Sequence, residues 1–160
     1  MGGETRLSPT QEQPMKVAIG SDHRGISQRK LVADAIGAAG HQALDCGTFS
    51  QDSVDYPDIA AEVARKVADG SADRGVLLCG TGIGVSIAAN KISGIRAAVC
   101  WDDESVRLSR QHNDANVLCL SGERFSQQDY ARLIELWLKT PFEGGRHAKR
   151  VEKIAALEGR

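Results

Sequence analysis

Cys79 heads the run CGTGIGVSIAANK (79–91), where Gly80, Gly82 and Gly84 alternate with Thr81 and Ile83. A thiol beside a glycine turn at a helix start feels backbone N–H groups that favour its thiolate, so Cys79 is a candidate base or nucleophile. Thr81 is a candidate proton relay beside it. The turn's N–H groups also suit an anionic oxygen. Three uses stay open for it: a dinucleotide cradle, support for a smaller anion or reaction intermediate, and a plain tight turn with Cys79 as a buried apolar residue. The pattern is GxGxG rather than GxGxxG, and no GxxxxGK occurs. Asp102 follows the next predicted strand where a ribose-binding carboxylate would stand, yet the first strand–helix unit lacks the glycine loop that normally carries that fingerprint.

Three further clusters carry chemistry. Asp22 and His23 follow the first predicted strand; they read either as ligand-binding groups or, for Ser21 or Asp22, as a helix cap. His112 in SRQHNDAN closes a charged helix, either as a dipole-favoured helix-end histidine or as a general acid. GGRHAKR places Arg146, His147, Lys149 and Arg150 at the start of the last helix, where positive charge opposes the helix dipole. Arg146 and Arg150 are one turn apart and can clamp one phosphate, which is a reason to tolerate that opposition. Together these groups suit a sugar-phosphate enzyme: a cationic clamp holds phosphate, a thiolate moves a carbon-bound proton, and backbone N–H groups stabilise an enediolate.

Composition removes several other classes. The net charge of -1 gives no pull toward nucleic acid, and no aromatic residues interleave the basic cluster. The apolar runs are far shorter than a membrane span, and the first 14 residues, MGGETRLSPTQEQP, have no apolar signal core. They read as a disordered leader before one domain at 15–160, expected in the cytoplasm. The cysteines at 46, 79, 100 and 119 form no CxxC pair, and the histidines form no HExxH. Neither a disulfide framework nor a metal site is expected.

The elements that must position these groups alternate. Strands are expected at 15–20, 41–46, 74–80, 94–101 and 116–122. Helices are expected at 26–37, from Pro57 and Asp58 to Gly70, over VSIAANK, over DDESVRLSRQHN, at 127–139 and at 146–158. RGVLLCG is apolar throughout, as a strand covered on both faces should be. The pattern predicts a three-layer α/β sandwich around a mostly parallel sheet, with ligands beyond the carboxyl ends of the strands. Only 4% of residues are aromatic, so the core must be aliphatic.

KVAIGSDHRG, DYPDIA, GVLLCGTGIGVSIAANKISGIRAAVC, LSRQHNDANVL and FEGGRHAKRV resemble the type B ribose-5-phosphate isomerase family, which also holds galactose- and allose-6-phosphate isomerases. The resemblance runs from Met15 to Leu157. It implies a five-stranded parallel sheet in a Rossmann-like fold, order 2-1-3-5-4, and homodimers or dimers of dimers with active sites shared between subunits. It implies no metal, no cofactor, and the interconversion of D-ribose 5-phosphate and D-ribulose 5-phosphate. By the same resemblance, Cys79 is the base and Thr81 moves the hydroxyl proton. Gly80, Gly82, Ile83 and Gly84 support the enediolate, and His112 opens the furanose ring. Asn113, Asp22 and His23 bind the sugar, and Arg124, Arg146, His147 and Arg150 form the phosphate site. Some members use a glutamate further along the loop in place of the cysteine; Val85 and Ser86 stand there here. Two departures are Arg24 beside the Asp–His pair and CLSGERF, one residue longer than the family's strand-five end.

Overall fold

The computed structural model describes residues 13–47 and 55–159. Residues 1–12 of the expected leader and residues 48–54 of the second connection lie outside the described residues, as does the side chain of Arg24. The strands are β1 (Lys16–Ser21), β2 (Gln42–Asp45), β3 (Arg74–Cys79), β4 (Ala97–Val99) and β5 (Val117–Ser121). The helices are α1 (Ile26–Ala38), α2 (Tyr56–Ala68), α3 (Ile83–Ala89), α4 (Asp103–Gln111), α5 (Gln127–Lys139) and α6 (Arg146–Ala156). All strand pairs are parallel, in the order β2-β1-β3-β5-β4. The expected α/β sandwich and strand order are what the structure has.

Apolarity sorts the strands. VAIGS of β1, GVLLC of β3 and VLCLS of β5 are buried along their length and occupy the centre. QALD of β2 and AAV of β4 are only partly buried and take the edges. One face packs Val17, Ile19, Val76, Leu78, Leu118 and Leu120 against α1, α4 and α5. The other packs Ala18, Leu77, Val117 and Cys119 against α2 and α3. Alternate residues of each strand serve opposite faces, as the pleat requires.

Helix ends follow local chemistry. Pro57 sits in the first turn of α2, where its missing N–H costs nothing, so the helix begins at Tyr56 rather than at the first periodic apolar residue. Asp102 and Ser105 form a reciprocal capping box at α4, and Ser126 caps α5. β4 is shorter than the expected 94–101. The side chain of Asn90 bonds both the N–H and the C=O of Ala97, and Asn116 Oδ1 takes the N–H of Arg96 at 2.8 Å, while the Arg96 C=O accepts the Asn116 N–H at 3.1 Å.

α5 and α6 differ in how they are held. α5 buries Tyr130, Leu133, Ile134, Trp137 and Leu138, each such side chain contributing about 1.5–3 kcal/mol relative to exposure. α6 buries only His147, leaving Ile154 and Leu157 exposed. The hydrophobic core therefore does little to hold α6.

Candidate active site

β3 delivers Cys79 to the carboxyl edge of the sheet, 5% exposed. Its Sγ accepts the N–H of Gly82 at 3.2 Å. Gly82 caps α3 with φ +82, and a Cβ there would lie 3.0 Å from the Leu120 carbonyl carbon. Only glycine combines that left-handed turn with such close approach to β5. Thr81 is exposed beside the thiol, and its Oγ1 accepts the Ile83 N–H at 3.1 Å. The Tyr56 ring lies over Gly84, where an added Cβ would be 2.7 Å from Cζ. Asp22 is buried at the end of the neighbouring β1, its N–H donating to Leu78 C=O at 3.3 Å, and His23 is exposed next to it. The N-cap of α1 is Gly25, and a 3-10 turn over His23–Gly25 precedes it, with the Gly25 N–H donating to the Asp22 C=O at 3.1 Å. Arg124 follows β5 on this same edge and is exposed.

The other three cysteines are buried as well. Burial pushes the Cys100 thiol up to about 11 and the Cys119 thiol well above its ordinary value. Cys46 is also raised, by burial first and then by Glu62. All three stay protonated at neutral pH.

The remaining expected site residues lie at the opposite edge. α4 runs back antiparallel to the strands, so His112 and Asn113 emerge at the amino end of β5. The Glu143 N–H donates to Gln111 C=O at 3.1 Å, which brings the start of α6 to the same place. There His112 and His147 stack, ring centroids 4.2 Å apart and 13° between planes. His147 Nε2 is 3.6 Å from Glu143 Oε2, and Arg146 and Arg150 are exposed on the first turns of α6. Burial, His112 and Arg146 hold the His147 imidazole below its usual value, with Glu143 opposing and Arg150 adding. Beside Asn113 a cleft of about 560 Å³ runs between α6 and β4, lined also by Arg96, Ile154 and Leu157. β5 separates the two clusters by on the order of 15 Å. One copy of the chain therefore cannot bring Cys79 and His112 onto one small molecule.

His112, Glu143 and His147 place their ligand atoms within 4.8 Å of one another. The rings stack nearly parallel, and Arg146 and Arg150 adjoin them on the first turns of α6. The dinucleotide reading of the glycine loop loses its carboxylate, because Asp102 Oδ1 is engaged by the Ser105 N–H at 2.8 Å. Sequence reasoning missed Glu143, whose part depends on a bond to the distant Gln111, and Tyr56, placed over Gly84 by packing alone.

The sequence profile of the Ribose/Galactose Isomerase family matches residues 17–154. The chain belongs to that family. It is 49% identical to ribose-5-phosphate isomerase B of Escherichia coli over 147 residues, covering 91% of this chain and 97% of that protein. It is 47% identical to a putative sugar phosphate isomerase of Bacillus subtilis over 90% of this chain and 97% of that one. Among solved structures, type B ribose 5-phosphate isomerase of Trypanosoma brucei superposes with a TM-score of 0.88 at 46% identity, covering 91% of this chain and 100% of that one. Ribose-5-phosphate isomerase B of Mycoplasma genitalium with bound ribulose-5-phosphate gives 0.84 at 40%, covering 89% and 95%. Members of this family share the arrangement described above at the level of the fold, and the chain is an aldose–ketose isomerase by kinship.

Proposed function

We propose that the chain interconverts ribose 5-phosphate and ribulose 5-phosphate through an enediolate, at sites shared between two copies of itself. The observation that carries the reaction is the Cys79 thiol, held by the Gly82 N–H at the mouth of the glycine loop with Thr81 exposed beside it. The thiolate removes the proton from C2 of the open aldose, and the electron pair moves to make the enediolate with charge on the C1 oxygen. The glycine loop from Gly80 to Gly84 supports that oxygen. Cys79 returns the proton to C1, while Thr81 takes the C2 hydroxyl proton and passes it to the C1 oxygen. The exchange balances without oxidant or metal.

The rest of the reaction needs the amino-edge cluster. His112 of a second copy opens the furanose by protonating the ring oxygen, and Asn113 binds sugar oxygens. Arg146 and Arg150 clamp the phosphate, with His147 beside them. Asp22 and His23 hold the sugar from the Cys79 side, and Arg124 reaches the phosphate from there. The separation of the two edges supports a homodimer in which each carboxyl edge faces the amino edge of its partner. Exposed apolar residues mark both: Ile83, Ile87 and Trp101 on one side, Ile154 and Leu157 on the other. No helix among the described residues is long and apolar enough to cross a membrane. Four free cysteines accord with a reducing cytoplasm.

The test is complementation. Cys79→Ala and the double variant Arg146→Ala/Arg150→Ala are each assayed on ribose, galactose and allose phosphates, then unfolded together, refolded and assayed again. In a twofold dimer with shared sites, half the molecules are mixed and each holds one intact site, so about a quarter of wild-type activity returns. No recovery would sink the shared site. Equal or better turnover of a hexose phosphate would overturn the choice of ribose 5-phosphate.

A further inference from the structure

Ser121 ends β5 beneath the glycine loop and is 4% exposed. Its Oγ donates to the Gly80 C=O at 2.7 Å and accepts the Glu123 N–H at 3.2 Å. Its own C=O accepts the Tyr130 hydroxyl at 2.5 Å. Next to it, the Gly122 N–H donates to the Cys79 C=O at 2.7 Å. Both carbonyls that frame the Cys79–Gly80 link are thus held by the end of β5. The hydroxyl that does so is locked on both sides, since it donates once and accepts once.

A trans peptide is planar, and its C=O and N–H point in opposite directions. Drawing the Gly80 oxygen toward Ser121 therefore turns the Thr81 N–H away from β5, toward the open carboxyl edge. The neighbouring donors are engaged: the Gly82 N–H by Cys79 Sγ, and the Ile83 N–H by Thr81 Oγ1. The Thr81 N–H has no hydrogen-bond partner among the described residues. A free donor, aimed by a planar peptide and two residues past Cys79, is the group an incipient oxyanion needs.

We infer that Ser121 is a positioning residue, which aims the Thr81 N–H at the C1 oxygen of the enediolate by holding the Gly80 carbonyl. The inference rests on the isomerase reading above. A serine is not demanded by the strand itself, because the β3–β5 ladder uses backbone groups alone. Without the hydroxyl the Gly80 carbonyl keeps only water as a partner, and the Gly80–Thr81 peptide is free to rotate.

Ser121→Ala and Ser121→Cys, assayed beside wild type on ribose 5-phosphate, test this, with melting temperature as the control for folding. In S121A kcat should fall about tenfold with KM within about twofold, because the donor acts in the transition state and not in sugar binding. Cysteine is near in size and a weaker donor, so S121C should retain an intermediate kcat. An active wild type with unchanged kcat in S121A overturns the inference and leaves the isomerase reading standing. A loss of activity matched by loss of folded protein, with normal kcat for the folded fraction, also overturns it. If S121A does not fold, S121C decides: unchanged kcat there defeats the proposal. Wild type inactive on every sugar phosphate defeats both.

Discussion

At the carboxyl edge of the sheet, Cys79, Gly80 and Gly82 are each tied to β5 or to one another by a hydrogen bond or a contact only glycine permits. At the amino edge, Arg146 and Arg150 stand exposed on a helix that buries only His147, and His147 rests on the ring of His112. The first region is built for position, the second for charge. Proton transfer tolerates little error in placement, whereas a phosphate is drawn by Coulomb attraction that falls off slowly with distance. The precise half sits on central strands and the adaptable half on a weakly held helix. The two halves also come from different edges, which is why the proposed site needs two copies.

Removing the base should have the largest effect on this contrast. Cys79→Ala is expected to lower kcat by about a thousandfold or more while binding of phosphate-bearing ligand is kept, since general-base catalysis is worth about 10²–10⁴-fold. Turnover near wild type would remove Cys79 as the base; single-turnover and equilibrium binding measurements separate the two quantities. Deuterium at C2 of the substrate should wash into solvent in the wild type, and complete retention would count against an enediolate.

Arg146→Ala should act in the opposite sense, raising KM by about tenfold or more with a smaller change in kcat, as expected for loss of a charge-assisted hydrogen bond. If kcat fell and KM held, the amino edge would belong to the chemistry and the contrast would fail. Gly82→Ala lies between a catalytic and a structural change. Forcing a side chain into its left-handed turn against Leu120 should cost about 1–3 kcal/mol, seen as a lower melting temperature together with lower kcat. A melting temperature unchanged from wild type would mean that the loop yields, and its rigidity would no longer explain the position of the thiol.

The smallest expected effect is the pH dependence of stability at the amino edge. The His147 pKa is depressed below its ordinary 6.5 by burial, His112 and Arg146. The unfolded chain then takes up a proton first as pH falls. The stability contributed by the neutral ring is complete above the unfolded value and is lost as pH drops through the folded one. Wild type should therefore lose melting temperature more steeply than His147→Gln between about pH 7 and pH 5. Parallel curves would show that His147 is not the group held neutral.

Much of this was legible from residues alone. The continuous apolarity of GVLLC marked a strand covered on both faces, and the glycines after Cys79 marked a turn at a helix start. Asp102 shows the limit of such reading: as a ribose ligand or as a cap it looks the same in sequence, and only its bond to Ser105 makes it a cap. β4 was read too long because the apolar run extends on both sides of the strand, which spans only Ala97–Val99. Ser121 gave no chemical signal, since its importance comes from facing Gly80, 41 positions earlier in the chain.

The amino-acid sequence by itself determined the alternation of elements, the family, and the chemical types available: a thiol in a glycine turn, paired arginines, two histidines. These are properties of local composition and spacing. Only the tertiary structure decided which of them meet. The reversal of chain direction through α4 sends His112 to the amino edge, and the bond from Glu143 to Gln111 carries Arg146 and His147 there with it. Cys79 stays at the other edge because a parallel strand must end where its neighbours end. That separation is a consequence of layering and crossover, and no spacing along the chain encodes it directly.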